Sequence, residues 1–578
     1  MHSPTFQELK KNLKKDFSGL NKIKVAVLGD SATQLYVQAI RGYGYEIGVS
    51  FEILEADYDQ IERQIYDPAS ELFEFSPEFI IIFYSTNKLL KTFVNLSNSE
   101  KSTFTKFQIE KFKNLYISIL SSISCKILFF NFTELNDSVF GNYANKTDVS
   151  FIYQLRFINF ELMNLALQLK NFFIIDANIL QSQYGHKFIT DNNIYINTEL
   201  LFSIDFLPII AKNTLDIIQS INGRFNKCLI LDLDNTLWGG IIGDDGIENI
   251  QIGDLGIGKV FSELQLWIKQ LKQRGIILAI CSKNDEEKAK DPFEKHPDMI
   301  LRLEDIAVFI ANWNNKADNI RHIQNILNIS FDSMVFLDDS PFERDLVRTH
   351  IPDIKVPELP VDPADYLNYL RTLNLFETAS FTEEDEQRTI QYQEEAKRSI
   401  IQQQFTNERD YLKSLEMVSM VEPFNTFNIP RVSQLSQRSN QFNLRTIRYS
   451  EEDVKKIAYN KDYQTFAFSL RDKFGDYGLI SLVICNKIGY QTLFIDTWIM
   501  SCRVLKRYME NFTLNILVQK AKESCITELQ GEYLPTVKNK IVKDHYQNLG
   551  FIFKENIWRL SIMTYIEKPC FIKLKSKL

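Results

Sequence analysis

The sequence predicts an α/β protein made of two parallel-sheet domains followed by a smaller α+β domain. Three observations carry this. Short, wholly apolar runs that end in an acidic or small polar residue recur through the first 340 residues, as buried parallel strands do. Amphipathic helical stretches lie between them. After Pro360 the texture changes to alternating, antiparallel-type segments set beside long helices. The boundaries that follow are 1–223 for the first domain, 224–375 for the second, 376–417 for a helical connector and 418–578 for the last.

In the first domain, Ile23–Leu28, Phe79–Phe83, Ile127–Phe130 and Phe172–Ile175 read as strands, with helical patterns such as Leu35–Ile40 and Phe107–Ser122 between them. Gly29-Asp30-Ser31 follows the first strand and resembles the nucleophile block of the SGNH hydrolase fold, with Ser31 in the nucleophile position. A serine nucleophile needs a base. The histidines available before residue 224 are His2 and His186, and no Asp-x-x-His occurs there. The expectation is an SGNH-like scaffold without its triad, which binds or positions a partner.

The second domain opens on Cys228–Leu231, an apolar strand that ends in Asp232, with Asp234 two residues on and Asn235, Thr236 and Leu237 turning the chain. Sites of open α/β sheets lie beyond the carboxyl ends of the strands. Two carboxylates this close repel unless a cation or shared proton offsets them, and an oxygen-seeking Mg2+ does so economically. Asp-x-Asp-x-Thr behind an apolar strand resembles the nucleophile loop of the haloacid dehalogenase-like (HAD) phosphotransferases. Further strands at Ile276–Ile280, Val308–Ile310 and Met334–Leu337 lead to Ser282, Lys316 and Asp338-Asp339-Ser340-Pro341. The resemblance implies Asp232 as nucleophile and Asp234 as acid/base. Phosphate would be bound by Ser282, Lys316 and Asn235, metal by Asp232, Asp234 and Asp339, with Asp338 as the partner of Lys316.

Spacing bears on substrate size. Asp232 to Ser282 spans 50 residues and Lys316 to Asp338 spans 22, and the flap Trp238–Gly246 and a helix Val260–Arg274 use much of the first. Neither gap houses a separate cap domain, so the site is open to a macromolecular or carrier-tethered substrate. The flap glycines Gly239, Gly240, Gly243 and Gly246 suit either close approach to a ligand or a tight hairpin.

Thr382–Asp385 is a capping signature for a connector helix over 387–404, whose charges read as a solvated face. Arg431–Leu444 is rich in amides, which suit a neutral polar ligand or backbone satisfaction equally. In the last domain, Phe466–Arg471, Gly478–Asn486 and Gln491–Thr497 read as a meander, Ser501–Lys522 as a helix, and His545–Phe551 as the close of a later one. This is similar to the end of the GNAT acyltransferase fold, although Trp498–Val504 stands where its glycine-rich pyrophosphate loop is expected. Cys502, at or near that helix's start and next to Arg503, is either a small core residue or a thiolate favoured by both features. His545 is either a base or a surface histidine.

Asp232–Asp245, Asn440-Gln441-Phe442-Asn443-Leu444 and Met500–Val504 together resemble the FkbH-like, HAD-IIIC family. The resemblance implies a Mg2+-dependent phosphatase and acyltransferase. It would load a glyceryl unit from 1,3-bisphosphoglycerate, a phosphorylated three-carbon acyl donor, onto the phosphopantetheine thiol of an acyl carrier protein in polyketide or related biosynthesis. Cys502 would carry the thioester, His545 would assist, and Asn440, Gln441 and Asn443 would support. The alternative is a stand-alone Mg2+-dependent phosphatase whose outer domains bind partners.

Bulk properties fit. The chain has 578 residues, 45% hydrophobic, with 44 Phe and 24 Tyr to fill large cores. A net charge of −8 argues against wide nucleic-acid contact. Seven cysteines without a Cys-x-x-Cys pair point to reduced thiols in a cytoplasmic protein. Met1–Lys15 is lysine-rich without the apolar core of a signal peptide, and no run is long enough to span a membrane.

Overall fold

A computed structural model describes residues 4–381, 388–402, 405–439, 441–489, 491–501, 504–536 and 538–575. The chain divides into two compact units, His2–Ile218 and Gln219–Leu578.

The first unit holds a parallel sheet of β1 (Asn21–Gly29), β2 (Val49–Glu55), β3 (Phe79–Phe83), β4 (Lys126–Phe130) and β5 (Phe172–Ile175) in the order β2-β1-β3-β4-β5. Reversal of strand order at β1 is the doubly wound pattern, and helices such as Gln34–Glu46 and Phe104–Ser122 supply the crossovers. β3 is buried along its whole length, which explains its unbroken apolar sequence. β2 has no such run; its alternating Val-Ser-Phe-Glu pattern reflects an edge strand. At the end of β1 the Ser31 hydroxyl donates to Asp30 Oδ1 at 2.9 Å, and Asp30 also accepts from the Ser85 backbone N–H. Burial raises the Asp30 carboxyl above its usual range. His186 Nδ1 lies against Gln181 Nε2 instead.

The second unit begins with a four-stranded parallel sheet, order β8-β7-β6-β9, made of β6 (Cys228–Leu231), β7 (Ile277–Ser282), β8 (Ile306–Ala311) and β9 (Met334–Leu337). All four residues of β6 are buried, and apolar clusters cover both faces. This is the HAD Rossmann-like sheet.

An eight-stranded mixed sheet follows: β10 (Val418–Glu422), β11 (Tyr463–Arg471), β12 (Asp476–Ile488), β13 (Thr492–Met500), β14 (Glu528–Gly531), β15 (Ile552–Lys554), β16 (Ile557–Ser561) and β17 (Lys573–Leu574). Its order is β15-β16-β14-β13-β12-β11-β10-β17. β11, β12 and β13 form the antiparallel meander, whereas β13 and β14 pair in parallel across the helix Met509–Glu523. That crossover gives the GNAT-like α+β domain.

Two expectations need correction here. The helix expected from Ser501 begins at Met509, because Lys506 and Tyr508 adopt positive φ and break the turn without any glycine to announce it. Cys502, expected at or near that helix's start, lies outside the described residues. The connector helix Arg388–Gln402 is not merely solvated: Arg398 is fully buried and holds Asp472 with Nε and Nη2 at 2.8 Å each. Its Gln393 amide donates to the carbonyl of Ile306 at the start of β8, and Tyr392 packs on the HAD core. The Thr382–Asp385 capping signature lies outside the described residues. No described helix is long and apolar enough to cross a membrane.

Candidate active site

β6, β7 and β9 run in parallel, so their carboxyl ends deliver Asp232, Ser282 and Asp338 to one edge of the sheet. After Asp232 the chain turns tightly, with Thr236 N–H and Leu237 N–H both donating to the carbonyl of Leu233. Asn235 has φ +52, a conformation asparagine tolerates, and its Oδ1 accepts from Gly240 N–H at 3.0 Å. The Thr236 hydroxyl accepts from Asp339 N–H at 3.1 Å and ties the β6 loop to the β9 loop.

Lys316 is the first residue of the helix Lys316–Leu327, whose start is capped by the Asn315 side chain accepting from Ala317 N–H. Its Nζ lies 2.9 Å from Asp232 Oδ2 and 2.6 Å from Asp338 Oδ2. All three groups are buried, the Lys316 residue being 3% exposed. Burial alone would lower the Lys316 pKa, but the two carboxylates overcome it and hold the ammonium above its usual range. Asp338 is raised by burial and by the charge of Asp232, which together outweigh Lys316. Asp339 is raised for the same two reasons.

Carboxylate oxygens of Asp232, Asp338 and Asp339 lie within 4.8 Å of one another. Three carboxylates facing one lysine leave excess negative charge, and Asp232 Oδ1 is buried without a hydrogen-bond partner. That orphaned oxygen and the all-oxygen donor set fit a divalent cation such as Mg2+. Asp234, expected as a ligand, does not join this cluster. Its Oδ1 accepts from the Trp238 indole N–H and from Ile242 N–H, both at 3.0 Å, and its Oδ2 from the Asn284 amide at 2.9 Å. The flap therefore aims the Asp234 carboxylate, which explains why Trp238 is fully buried.

The flap itself is hairpin-like: Gly239 and Gln251 exchange backbone hydrogen bonds at 3.0 and 2.8 Å. Gly240 has φ +94, and a Cβ there would come 2.7 Å from Asp245 Oδ2, so the turn requires glycine. Asn235 spends its side-chain oxygen on this turn.

Four supporting contacts escaped sequence-level reasoning. Asn284 bridges Asp234 and the Ser282 hydroxyl (3.2 Å). Thr236 joins the two loops. Arg344 donates to the carbonyls of Asp338 and Asp339. Glu343 takes Lys283 at 2.6 Å. A polar side chain two residues past a strand end is the one local signal that could have marked Asn284.

In the GNAT-like domain, Cys502 and Asn440 lie outside the described residues. Gln441 and Ser501 line a common cavity. Asn443 is buried, its Oδ1 accepting from Thr446 N–H at 2.8 Å. Phe442 accepts from Met500 N–H, which fixes the end of β13. His545 is not a surface residue: it is 7% exposed, edge-on to Trp498 and Phe442 at 4.5 and 5.0 Å, with Nε2 unpartnered. Desolvation pushes its pKa down to about 3, so the imidazole is neutral.

An Asp-x-Asp-x-Thr strand end, a lysine gripping two carboxylates and an acidic loop after β9, on this sheet order, define a haloacid dehalogenase-like domain. The family described as FkbH, N-terminal domain, matches residues 24–219. A crystal structure of the N-terminal part of BF1531 from Bacteroides fragilis, containing a phosphatase domain complexed with Mg, is 53% identical. It covers 65% of this chain and 100% of its own, with a TM-score of 0.63. The chain belongs to the FkbH-like family. Weaker likenesses are to the ribosomal-protein-S18-alanine N-acetyltransferase of Escherichia coli (14% identity, 26% of this chain, 99% of that one, TM-score 0.20). Spermidine N-acetyltransferase of Vibrio cholerae is another (12%, 25%, 96%, 0.21). No curated protein matches the chain.

Proposed function

We propose that the chain is a Mg2+-dependent phosphatase joined to an acyltransferase that loads a glyceryl unit onto an acyl carrier protein. The observation that carries the phosphatase half is Asp232: Oδ2 held by Lys316, Oδ1 buried and unpartnered at the mouth of the cluster. The Asp232 carboxylate forms a bond to phosphorus as the ester oxygen departs, and Asp234, aimed by Trp238 and Asn284, gives that oxygen its proton. Asp234 then takes a proton from water as the water oxygen displaces Asp232, releasing phosphate. Lys316 and Ser282 steady the phosphoryl oxygens, and Asp338 fixes Lys316. Asp232 and Asp339, with Asp338 beside them, would hold Mg2+. When bound, the ion supplies positive charge to the carboxylates and to the phosphate.

The transferase half rests on the family membership and on position 502. The Cys502 thiolate attacks the acyl carbon of 1,3-bisphosphoglycerate, forming a C–S bond while the 1-phosphate leaves with the electron pair. The carrier's phosphopantetheine thiolate then displaces Cys502. Dephosphorylation at Asp232 yields the glyceryl thioester. A neutral His545 packed under Phe442 supports β13 rather than carrying a charge. Incubating the full chain with carrier, Mg2+ and 1,3-bisphosphoglycerate tests this: Cys502→Ala abolishes carrier loading and retains hydrolysis of p-nitrophenyl phosphate. Carrier loading by that variant would leave a plain phosphatase.

A further inference from the structure

The helix Phe151–Gln168 of the first unit is apolar on two opposite faces. Phe151, Leu155, Ile158, Leu162 and Leu165 are buried and pack into the core of that unit. Seven residues of the helix are exposed, and five of those are large and apolar: Tyr153, Phe157, Phe160, Met163 and Leu167. Their exposure runs from 41% to 86%. At about 100° per residue, Tyr153, Phe157, Phe160 and Leu167 fall within an arc of about 80°, with Met163 at its edge. A helix whose outer face meets water carries polar and charged residues there. This one presents an apolar stripe about 21 Å long, the rise from Tyr153 to Leu167 at about 1.5 Å per residue.

Charge narrows what can cover this stripe. The one charged residue among the seven is Arg156, and its guanidinium is fully engaged. Nε and Nη2 donate to the Glu134 carboxylate at 2.6 and 2.8 Å, and Nη1 to Asn145 Oδ1 at 2.7 Å. The helix contains no lysine. Nucleic acid and anionic membrane surfaces both call for free cations beside such a face. What fits is another uncharged apolar surface. Area then sets the scale. An aromatic side chain offers about 200 Å2, so the five residues together leave about 500 Å2 of apolar surface open. A homodimer interface that is about 65% apolar would bury about 800 Å2 on each protomer around such a core, the size of a stable complex.

We infer that two copies of the chain meet on this face, helix against antiparallel helix, about a two-fold axis through Phe160. The spacing is self-complementary. Phe160 lies midway between Tyr153 and Leu167, and also midway between Phe157 and Met163. A two-fold axis there sets Tyr153 against Leu167 of the second copy, Phe157 against Met163, and Phe160 against its own equivalent. Ring-on-aliphatic and ring-on-thioether contacts of this kind are favourable once water is excluded. An isologous face closes at two copies and leaves no free patch for further growth. The inference uses no residue of the phosphatase or transferase sites and stands apart from the function proposed above.

Sedimentation equilibrium of the full chain over a micromolar concentration series tests this with the wild type, Phe160→Glu and Leu167→Glu. The wild type sediments as a dimer. Phe160→Glu sets two carboxylates face to face on the axis and weakens association roughly a hundredfold or more; Leu167→Glu weakens it roughly tenfold. Both side chains are exposed, so the circular dichroism spectrum and p-nitrophenyl phosphate turnover stay unchanged, which separates lost association from lost folding. A short bis-maleimide fixes the geometry: it joins Phe160→Cys to itself, and Tyr153→Cys to Leu167→Cys in mixed samples, read from the masses of the linked peptides. A wild type that stays monomeric at high micromolar concentration overturns the inference. So does a dimer that both glutamate variants leave intact. Protection of the helix Phe151–Gln168 from hydrogen exchange by carrier protein, with the wild type monomeric, overturns it in favour of a different occupant.

Discussion

The two sheets of residues 219–578 bury polar groups in opposite ways. At the carboxyl edge of the HAD-like sheet, Asp232, Asp338 and Asp339 are gathered around the Lys316 ammonium, with a carboxylate oxygen left over. In the GNAT-like domain, His545 is packed among aromatic rings and kept neutral. The first arrangement is expensive unless a cation and a phosphate complete it, which marks it as a site built for ligands. The second is completed by apolar contact, which marks it as support. What distinguishes them is whether burial comes with opposing charge.

The largest effect expected at this cluster is Asp232→Asn, which keeps the shape of the side chain and removes the proposed nucleophile. Turnover of p-nitrophenyl phosphate falls by ~10^3-fold or more, with an unchanged circular dichroism spectrum. Lys316→Met leaves two buried carboxylates facing each other without their cation, at a stability loss of about 3–5 kcal/mol. Chemical denaturation followed on the HAD-like domain measures it, and a loss below about 1 kcal/mol would place the cluster in water-like surroundings.

Asn284→Ala removes one donor from Asp234 and one from Ser282. The expected result is a roughly ten- to hundredfold fall in kcat with little change in KM, the cost of losing about 1–3 kcal/mol of orientation. An altered KM with intact kcat would assign Asn284 to substrate binding instead. The smallest effect tests the neutral side. His545 has a folded pKa of about 3, below its ordinary 6.5. The unfolded chain binds the extra proton, so this contribution is fully present above pH 6.5 and is lost as pH falls toward 3. Stability of the GNAT-like domain should decline by up to about 1.4 kcal/mol per pH unit below pH 6.5. His545→Leu should flatten that slope; an equal slope in the variant would show His545 to be solvated.

The same contrast explains what could be read from sequence. Asp232, Ser282, Lys316 and Asp338 each stand at or just past the end of an apolar strand, so local pattern and family resemblance locate them together. Thr236 and Arg344 act through partners 103 and 5–6 residues away, and nothing local marks those hydrogen bonds; Asn284 stands two residues past a strand end, but its bond to Asp234 spans 50 residues. Arg398 and Asp472 are 74 residues apart, and a charge inside a charged run gives no sign of being buried. The late start of the helix Met509–Glu523 turns on the positive φ of a lysine and a tyrosine, residues that rarely break a turn. Short strands such as β14 and β15, of four and three residues, carry too few positions for a period to show.

The most direct measurement of the central claim is intact mass spectrometry of the full chain with Mg2+ and 1,3-bisphosphoglycerate, comparing wild type, Cys502→Ala and Asp232→Asn. The account predicts a three-carbon acyl adduct in the wild type and in Asp232→Asn, and none in Cys502→Ala. It also predicts that carrier protein loaded by Asp232→Asn is one phosphate heavier than carrier loaded by the wild type. An adduct that persists in Cys502→Ala, or carrier loaded without phosphate by Asp232→Asn, would contradict the division of labour between the two sheets.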